Sequence, residues 1–152
     1  MLELHTYRPR DRERLLEIDQ LCFVSGISYT EEELAFFLRR SSAITLVAED
    51  AGNIAGFIIA DRLRSRRADV LIGHIITIDV LPDARRSGLG SRLLLAAEQA
   101  LKRAGCENVS LEVAVDNAAA LSFYKKHGYT VLKVLPRYYL DSVDGLLMGK
   151  KL

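Results

Sequence analysis

The stretch from Val70 to Val80, Val-Leu-Ile-Gly-His-Ile-Ile-Thr-Ile-Asp-Val, constrains the fold more than any other part of the chain. It is apolar on both faces, and such a strand belongs in the middle of a sheet that is covered on both sides. A short loop follows, and a glycine pair, Gly88 and Gly90, opens a long helix to Ala104. Leu89, Leu93, Ala97, Ala100 and Leu101 form its apolar stripe, and Gly105 ends it. A buried strand, a tight loop and an amphipathic helix are the frame on which the remaining elements must pack.

Those elements read as follows. Leu2 to Tyr7 alternates as a strand, and Pro9 starts a helix carrying Leu15, Leu16, Ile18 and Leu21. Ser25 to Ser28 is a break, and Thr30-Glu31-Glu32-Glu33 is a capping box that starts a second helix. Ile44–Glu49 and Ile54–Ala60 form a hairpin around Asp50-Ala51-Gly52-Asn53, and Asp61 to Asp69, rich in arginine, is expected as an exposed connection. Beyond the long helix come a strand from Val109 to Val115, a short helix from Asn117 to His127 stopped by Gly128, and two strands, Tyr129–Pro136 and Val143–Lys150. The sum is an α/β fold, a mixed central sheet of about seven strands with about four helices packed on it. At 152 residues the chain is expected to form a single domain over 1–152.

Composition excludes several classes. With 21 basic and 20 acidic residues the net charge is +1, which argues against nucleic acid as a partner. No stretch approaches the roughly 20 apolar residues of a membrane span. Cys22 and Cys106 form no CxxC, and His5, His74 and His127 share no ligand spacing, so no metal site is expected and the histidines read as structural. Two free thiols and a start unlike a signal peptide point to a cytoplasmic protein.

The chemistry concentrates after Val80. A helix N-terminus leaves about four N–H groups unpaired and carries about half a positive charge, and glycine lets a ligand approach that backbone closely. With Arg85, Arg86 and Arg92 nearby, the loop suits a diphosphate. The dinucleotide fingerprint GxGxxG fails at Leu93, and no GxxxxGK(S/T) is present.

Arg85-x-x-Gly88-x-Gly90 resembles the R/Q-x-x-G-x-G/A acetyl-CoA motif of the GNAT N-acetyltransferases. Leu111-Glu112-Val113 through Asn117, Ala120, Tyr124 and Gly128-Tyr129 resembles the LEVxxxNxxAxxxYxxxGF segment of the RimI/Ard1-type protein N-terminal acetyltransferases. Arg137-Tyr138-Tyr139 is similar to their RxYY segment, and Asp144 to Met148 to their EDAxxM ending. The likeness is close from about Ile75 onward; the FPW segment of many such enzymes is replaced by Phe23-Val24-Ser25-Gly26-Ile27.

The resemblance implies the GNAT fold, acetyl-CoA as donor, and an amine acceptor, foremost a protein N-terminal α-amine. The loop Arg85, Arg86, Ser87, Gly88, Leu89, Gly90 and Ser91 would hold the pyrophosphate, backbone groups of Ile78 and Val80 the pantetheine amides, and Asn117 the coenzyme A arm besides capping its helix. Tyr29, Tyr138 and Tyr139 would line the acceptor side. Glu112 is implied as general base and Tyr124 as general acid for the leaving thiolate. As a bland alternative, Glu112 is an ion-paired surface carboxylate and Tyr124 a core aromatic. Other acceptors (a lysine side chain or a small amine) and a non-catalytic coenzyme-A-binding module stay open as functions, and the chain would work as a monomer or homodimer.

Overall fold

The local signals for each element act where the sequence puts them. The computed structural model describes residues 2–23, 29–140 and 142–152. The elements are β1 (Leu2–Thr6), α1 (Arg12–Cys22, entered through a 3₁₀ turn at Pro9–Asp11), α2 (Glu31–Arg39), β2 (Ile44–Asp50) and β3 (Asn53–Arg64). They continue with β4 (Leu71–Val80), a 3₁₀ turn at Pro82–Ala84, α3 (Leu89–Arg103), β5 (Cys106–Ala114), α4 (Ala118–Lys126), β6 (Thr130–Tyr139) and β7 (Val143–Lys151). The Thr30 hydroxyl accepts the Glu33 N–H at 3.1 Å while the Glu33 carboxylate accepts that of Thr30 at 3.0 Å, the reciprocal cap that starts α2. The Asn117 side chain accepts the Ala120 N–H and starts α4. Ala51 and Gly52, at φ 53° and 85°, make the two-residue turn between Asp50 and Asn53, a mirror-image turn that suits the twist of the flanking strands.

The seven strands form one sheet in the order β1-β2-β3-β4-β5-β7-β6. Neighbours are antiparallel except β4 and β5, which run parallel and are joined across α3. Each face has its own core. On one, Leu89, Leu93, Leu94, Ala97 and Leu101 of α3, with Tyr124 of α4, pack on Ile58, Ala60, Ile75, Leu111 and Met148. On the other, Leu15 and Ile18 of α1 and Leu34 of α2 pack on Val47, Phe57 and Ile59. β4 is the fourth of the seven strands, as its two apolar faces require.

Two departures from the sequence reading bear on the site. First, Asp61 to Arg64 is strand rather than exposed loop, and Asp61 is buried. The carboxylate is tolerated because it is fully bonded: Arg40 Nε donates to it at 2.6 Å, Ser42 Oγ at 2.7 Å and the Arg62 N–H at 2.8 Å. Second, β4 carries a bulge. Ile59 pairs with Thr77 but Ala60 pairs with Ile75, leaving Ile76 extra. After the bulge, Ile78 and Val80 face the α3 core while Thr77 and Asp79 turn toward α1 and α2. The break expected at Ser25–Ser28, and most of the Phe23–Ile27 substitution, lie outside the described residues.

Candidate active site

The parallel ladder between β4 and β5 runs only from Leu71↔Cys106 to His74↔Ser110. Beyond it, β4 stays paired with β3 and β5 with β7, so the facing edges of 75–80 and 111–114 part into a wedge. Leu81 donates its N–H to the Ala55 carbonyl, which fixes the phase of the antiparallel ladder. Ile78 and Val80 therefore turn their N–H and C=O groups to the edge away from β3, into the wedge. An amide-bearing chain laid there would meet an edge with no partner strand, although the Val80 carbonyl already accepts from the Arg85 and Cys22 side chains.

At the mouth of the wedge the chain turns into α3. The Arg92 N–H closes the first helical bond, to the Gly88 carbonyl. The N–H groups of Arg86 to Ser91 have no backbone partner among the described residues. Gly88 sits at φ +84° as the cap, and a Cβ there would meet nothing within 4 Å. The glycine supplies the left-handed backbone, and open space lies above the free amides. Gly90 lies against Phe123, which a Cβ would approach to 3.4 Å. Arg85 is partly committed to the loop itself, with Nε donating to the Val80 carbonyl at 2.9 Å. The Ser87 hydroxyl folds back onto the Ala84 carbonyl. Ser91 Oγ and His127 Nε2 are 2.8 Å apart, so His127, read from the sequence as structural, flanks the helix start. Unpaired donors, a helix N-terminus and room for an anion fit a pyrophosphate, and the open edge fits the amides of a pantetheine arm.

On the α1/α2 face of the wedge lies a polar cluster. Glu112 of β5 is 3.0 Å from His74 Nε2 of β4, and Tyr138 Oη of β6 donates to the same carboxylate at 3.2 Å. Both side chains are largely buried, with 22% and 19% of them exposed. Tyr29 donates its hydroxyl to the carbonyl of the bulge residue Ile76 at 3.2 Å, and its ring stands edge-on to Phe37 at 5.5 Å. Burial pushes the Tyr29 phenol up, helped by Asp19 and by the charges of Tyr138 and Glu112, so it stays protonated. Tyr138 and Tyr139 stack edge to face at 4.9 Å across Gly145, where a Cβ would come within 3.1–3.2 Å of both.

Tyr124 approaches from α4. It is buried, with Phe123 at 5.3 Å and Tyr129 at 5.7 Å between ring centroids. Burial raises its pKa above the usual phenol value, and Asp79 at the end of β4 and Tyr139 at the end of β6 raise it further. The hydroxyl therefore stays protonated.

The structure thus brings Glu112, Tyr29, Tyr138 and the wedge edge of Ile78 and Val80 together, with the glycine loop at the opening. Asn117 stands at the start of α4, where its side chain is engaged as a cap. His74 is the residue sequence reasoning passed over. Its signal was available only through topology, because a histidine on β4 meets a glutamate on β5 only when those strands are parallel neighbours. A surface groove of about 500 Å³ lies elsewhere, lined by Ile72, Leu132, Leu147 and Lys150 among others. Its lining carries no carboxylate or imidazole.

Comparison with known proteins agrees with this geometry. The acetyltransferase (GNAT) family pattern matches residues 12–129. An N-alpha-acetyltransferase of Sulfurisphaera tokodaii is 35% identical over 157 residues, covering 96% of this chain and 93% of the relative. The crystal structure of Ard1 from Thermoplasma volcanium superposes with a TM-score of 0.88 at 28% identity, covering 99% of this chain and 97% of that one. A chain of the NatC complex bound to Gag peptide and CoA superposes at 0.86 with 26% identity, covering 99% and 98%. The chain belongs to the GNAT acetyltransferase family.

Proposed function

We propose that this GNAT acetyltransferase moves an acetyl group from acetyl-CoA to the free α-amine of a protein N-terminus, by direct attack within a ternary complex. The observation that carries the reading is the His74–Glu112–Tyr138 cluster on one face of the wedge, opposite the open strand edge and the unpaired N–H groups of the glycine loop. Relatives named N-alpha-acetyltransferase, and the Ard1 and peptide-bound NatC structures, support the acceptor class.

The donor brings the acetyl group as a thioester. The N–H groups of Arg86 to Ser91 would bind its pyrophosphate, and Ile78 and Val80 would orient its amide arm along β4. Glu112, held by His74, takes the proton that the attacking amine sheds, directly or through a water. Tyr124, kept protonated by burial, donates to the sulfur as negative charge builds on it. Neither cysteine is needed as an acyl carrier: burial pushes both thiols up, away from the nucleophilic thiolate. An α-amine, with a pKa near 7.7–8.0, asks less of the base than a lysine near 10.4. All these groups come from one chain, so a monomer suffices. With both cysteines unpaired, a cytoplasmic setting fits.

Thiol release from acetyl-CoA should occur with peptides bearing free Ala, Ser or Met N-termini. It should not occur with the same peptides blocked at the N-terminus and carrying lysine, nor with polyamines. Release with lysine or polyamines alone would transfer the chemistry to another acceptor.

A further inference from the structure

Beneath the acceptor wall lies an acidic pair, distinct from Glu112. Asp19 of α1 is wholly buried and Asp79 of β4 is 1% exposed. Each has one oxygen accounted for. Asp19 Oδ2 accepts the Tyr29 N–H at 2.6 Å, and Asp79 Oδ1 accepts the Thr77 hydroxyl. Each also has one oxygen, Asp19 Oδ1 and Asp79 Oδ2, that is inaccessible and has no hydrogen-bond partner among the described residues. Buried acceptors are rarely left orphaned, and two adjacent ionised carboxylates cannot both be kept from water without strong repulsion. The two side chains interact directly, and a single proton shared by the pair resolves both problems.

We propose that Asp19 and Asp79 share one proton, and that this acid pair positions the acceptor side of the active site by tying α1 and the Tyr29 backbone to the end of β4. The proposal rests on the acetyltransferase reading of the wedge. Asp79 lies between Ile78 and Val80, the residues whose edge faces the wedge, and is turned to the α1 side by the bulge at Ile76. Asp19 holds the residue that leads into α2, and the Tyr29 hydroxyl returns to the Ile76 carbonyl. Tyr29 is therefore fixed at both its amide and its phenol, next to Glu112 and Tyr138. The other groups acting on the pair are Cys22 of α1, Arg85 after β4 and Tyr124 of α4. Burial, followed by the bond and charge of Asp19, drives the Asp79 carboxyl well above the usual carboxylate range, against the opposing Thr77 bond and Arg85 charge.

The sign of the linkage is fixed. A carboxyl raised above its unfolded value near 3.9 binds its proton more tightly when folded. Stability then falls as pH rises from that value to the folded value, and is level above it. Asparagine at position 79 keeps a donor toward Asp19 Oδ1 and an acceptor for Thr77 but does not titrate.

The test compares the full chain with Asp79→Ala, Asp79→Asn and Asp19→Asn. Asp79→Ala should raise the KM for an N-terminal peptide about tenfold or more, with the acetyl-CoA Kd changed less than about threefold. Either asparagine variant should return the peptide KM to within about threefold of the parent. Carboxyl ¹³C resonances of the parent should show one protonated aspartate at neutral pH, and that signal should be absent from Asp79→Asn. This readout needs no turnover, so it separates failure of the pair from failure of the acetyltransferase reading, and it holds if Asp79→Ala does not fold. Two fully ionised aspartates at neutral pH would overturn the shared proton. A folded Asp79→Asn no better than Asp79→Ala, or equal losses of peptide and acetyl-CoA affinity, would overturn the positioning role.

Discussion

The proposed cofactor side and the proposed acceptor side of the wedge are built in different ways. On the proposed cofactor side the groups are backbone: a strand edge without a partner strand at Ile78 and Val80, and the N–H groups of Arg86 to Ser91 ahead of α3. All come from one continuous stretch of chain, and the only side-chain requirement is the absence of one, at Gly88. On the acceptor side the groups are side chains delivered by separate elements: Tyr29 before α2, His74 from β4, Glu112 from β5, Tyr138 from β6. A backbone site is specified by local conformation. A side-chain site is specified by the packing of the whole domain.

Substitutions should separate the two sides, and the largest effects belong to the groups proposed to react. Glu112→Gln and Tyr124→Phe should each lower kcat by about 10²–10⁴-fold while leaving the acetyl-CoA Kd nearly unchanged, as single-turnover rates and calorimetry would read. A full-rate Tyr124→Phe enzyme would remove the acid from the scheme. Gly88→Val reverses the pattern. The side chain has room in the free protein but occupies the space above the free amides, at a backbone angle that disfavours it. Losing one or two charge-assisted contacts, at about 1.5–3 kcal/mol each, predicts acetyl-CoA binding weaker by about tenfold or more. Unchanged binding would show that the loop is not where the phosphates sit.

Smaller effects should fall on the scaffold behind each side. Burial pushes the Asp61 carboxyl up, but bonds from Ser42, the Arg62 N–H and Arg40, with the Arg40 charge, outweigh it and hold the group below its ordinary range. Its stabilisation is present above the unfolded value near 3.9 and is lost as pH falls through the lower folded value. Asp61→Asn should therefore unfold at a lower temperature than the parent at pH 7, and the gap should close in strong acid. A gap independent of pH would mean that packing, not charge, is at stake. Smallest of all, Thr30→Ala removes the α2 cap at about 1 kcal/mol, seen in the denaturation midpoint with little change in kcat.

The same contrast explains what could be read without coordinates. Gly88 and Gly90 behind an apolar strand, the capping box at Thr30 and the turn at Ala51-Gly52 each act within a few residues, and each is where the pattern puts it. The seven strands and four helices follow from alternation and helical spacing. His74 was passed over because its partner is 38 residues away and meets it only through the parallel register of β4 and β5. Asp61 was taken for loop because a charged residue ends an apolar pattern, and nothing local announces that Arg40 will neutralise it. The bulge at Ile76 is silent for a similar reason: four apolar residues, Ile72, Ile75, Ile76 and Ile78, allow either phase, and only the pairing with β3 decides which side Asp79 takes.

The parting of β4 from β5 has a consequence beyond catalysis. Among the described residues, the backbone ladder joining the two halves of the sheet, β1 to β4 and β5 to β7, runs only from Leu71 to His74, a zip left half undone. A donor molecule whose amides run along the free edge closes the zip, so occupancy becomes part of the domain's own cohesion. By mass action, acetyl-CoA at 100 times its Kd would add about 2.7 kcal/mol to the folded state. The thermal endurance of this chain would then rise and fall with the supply of the molecule it consumes.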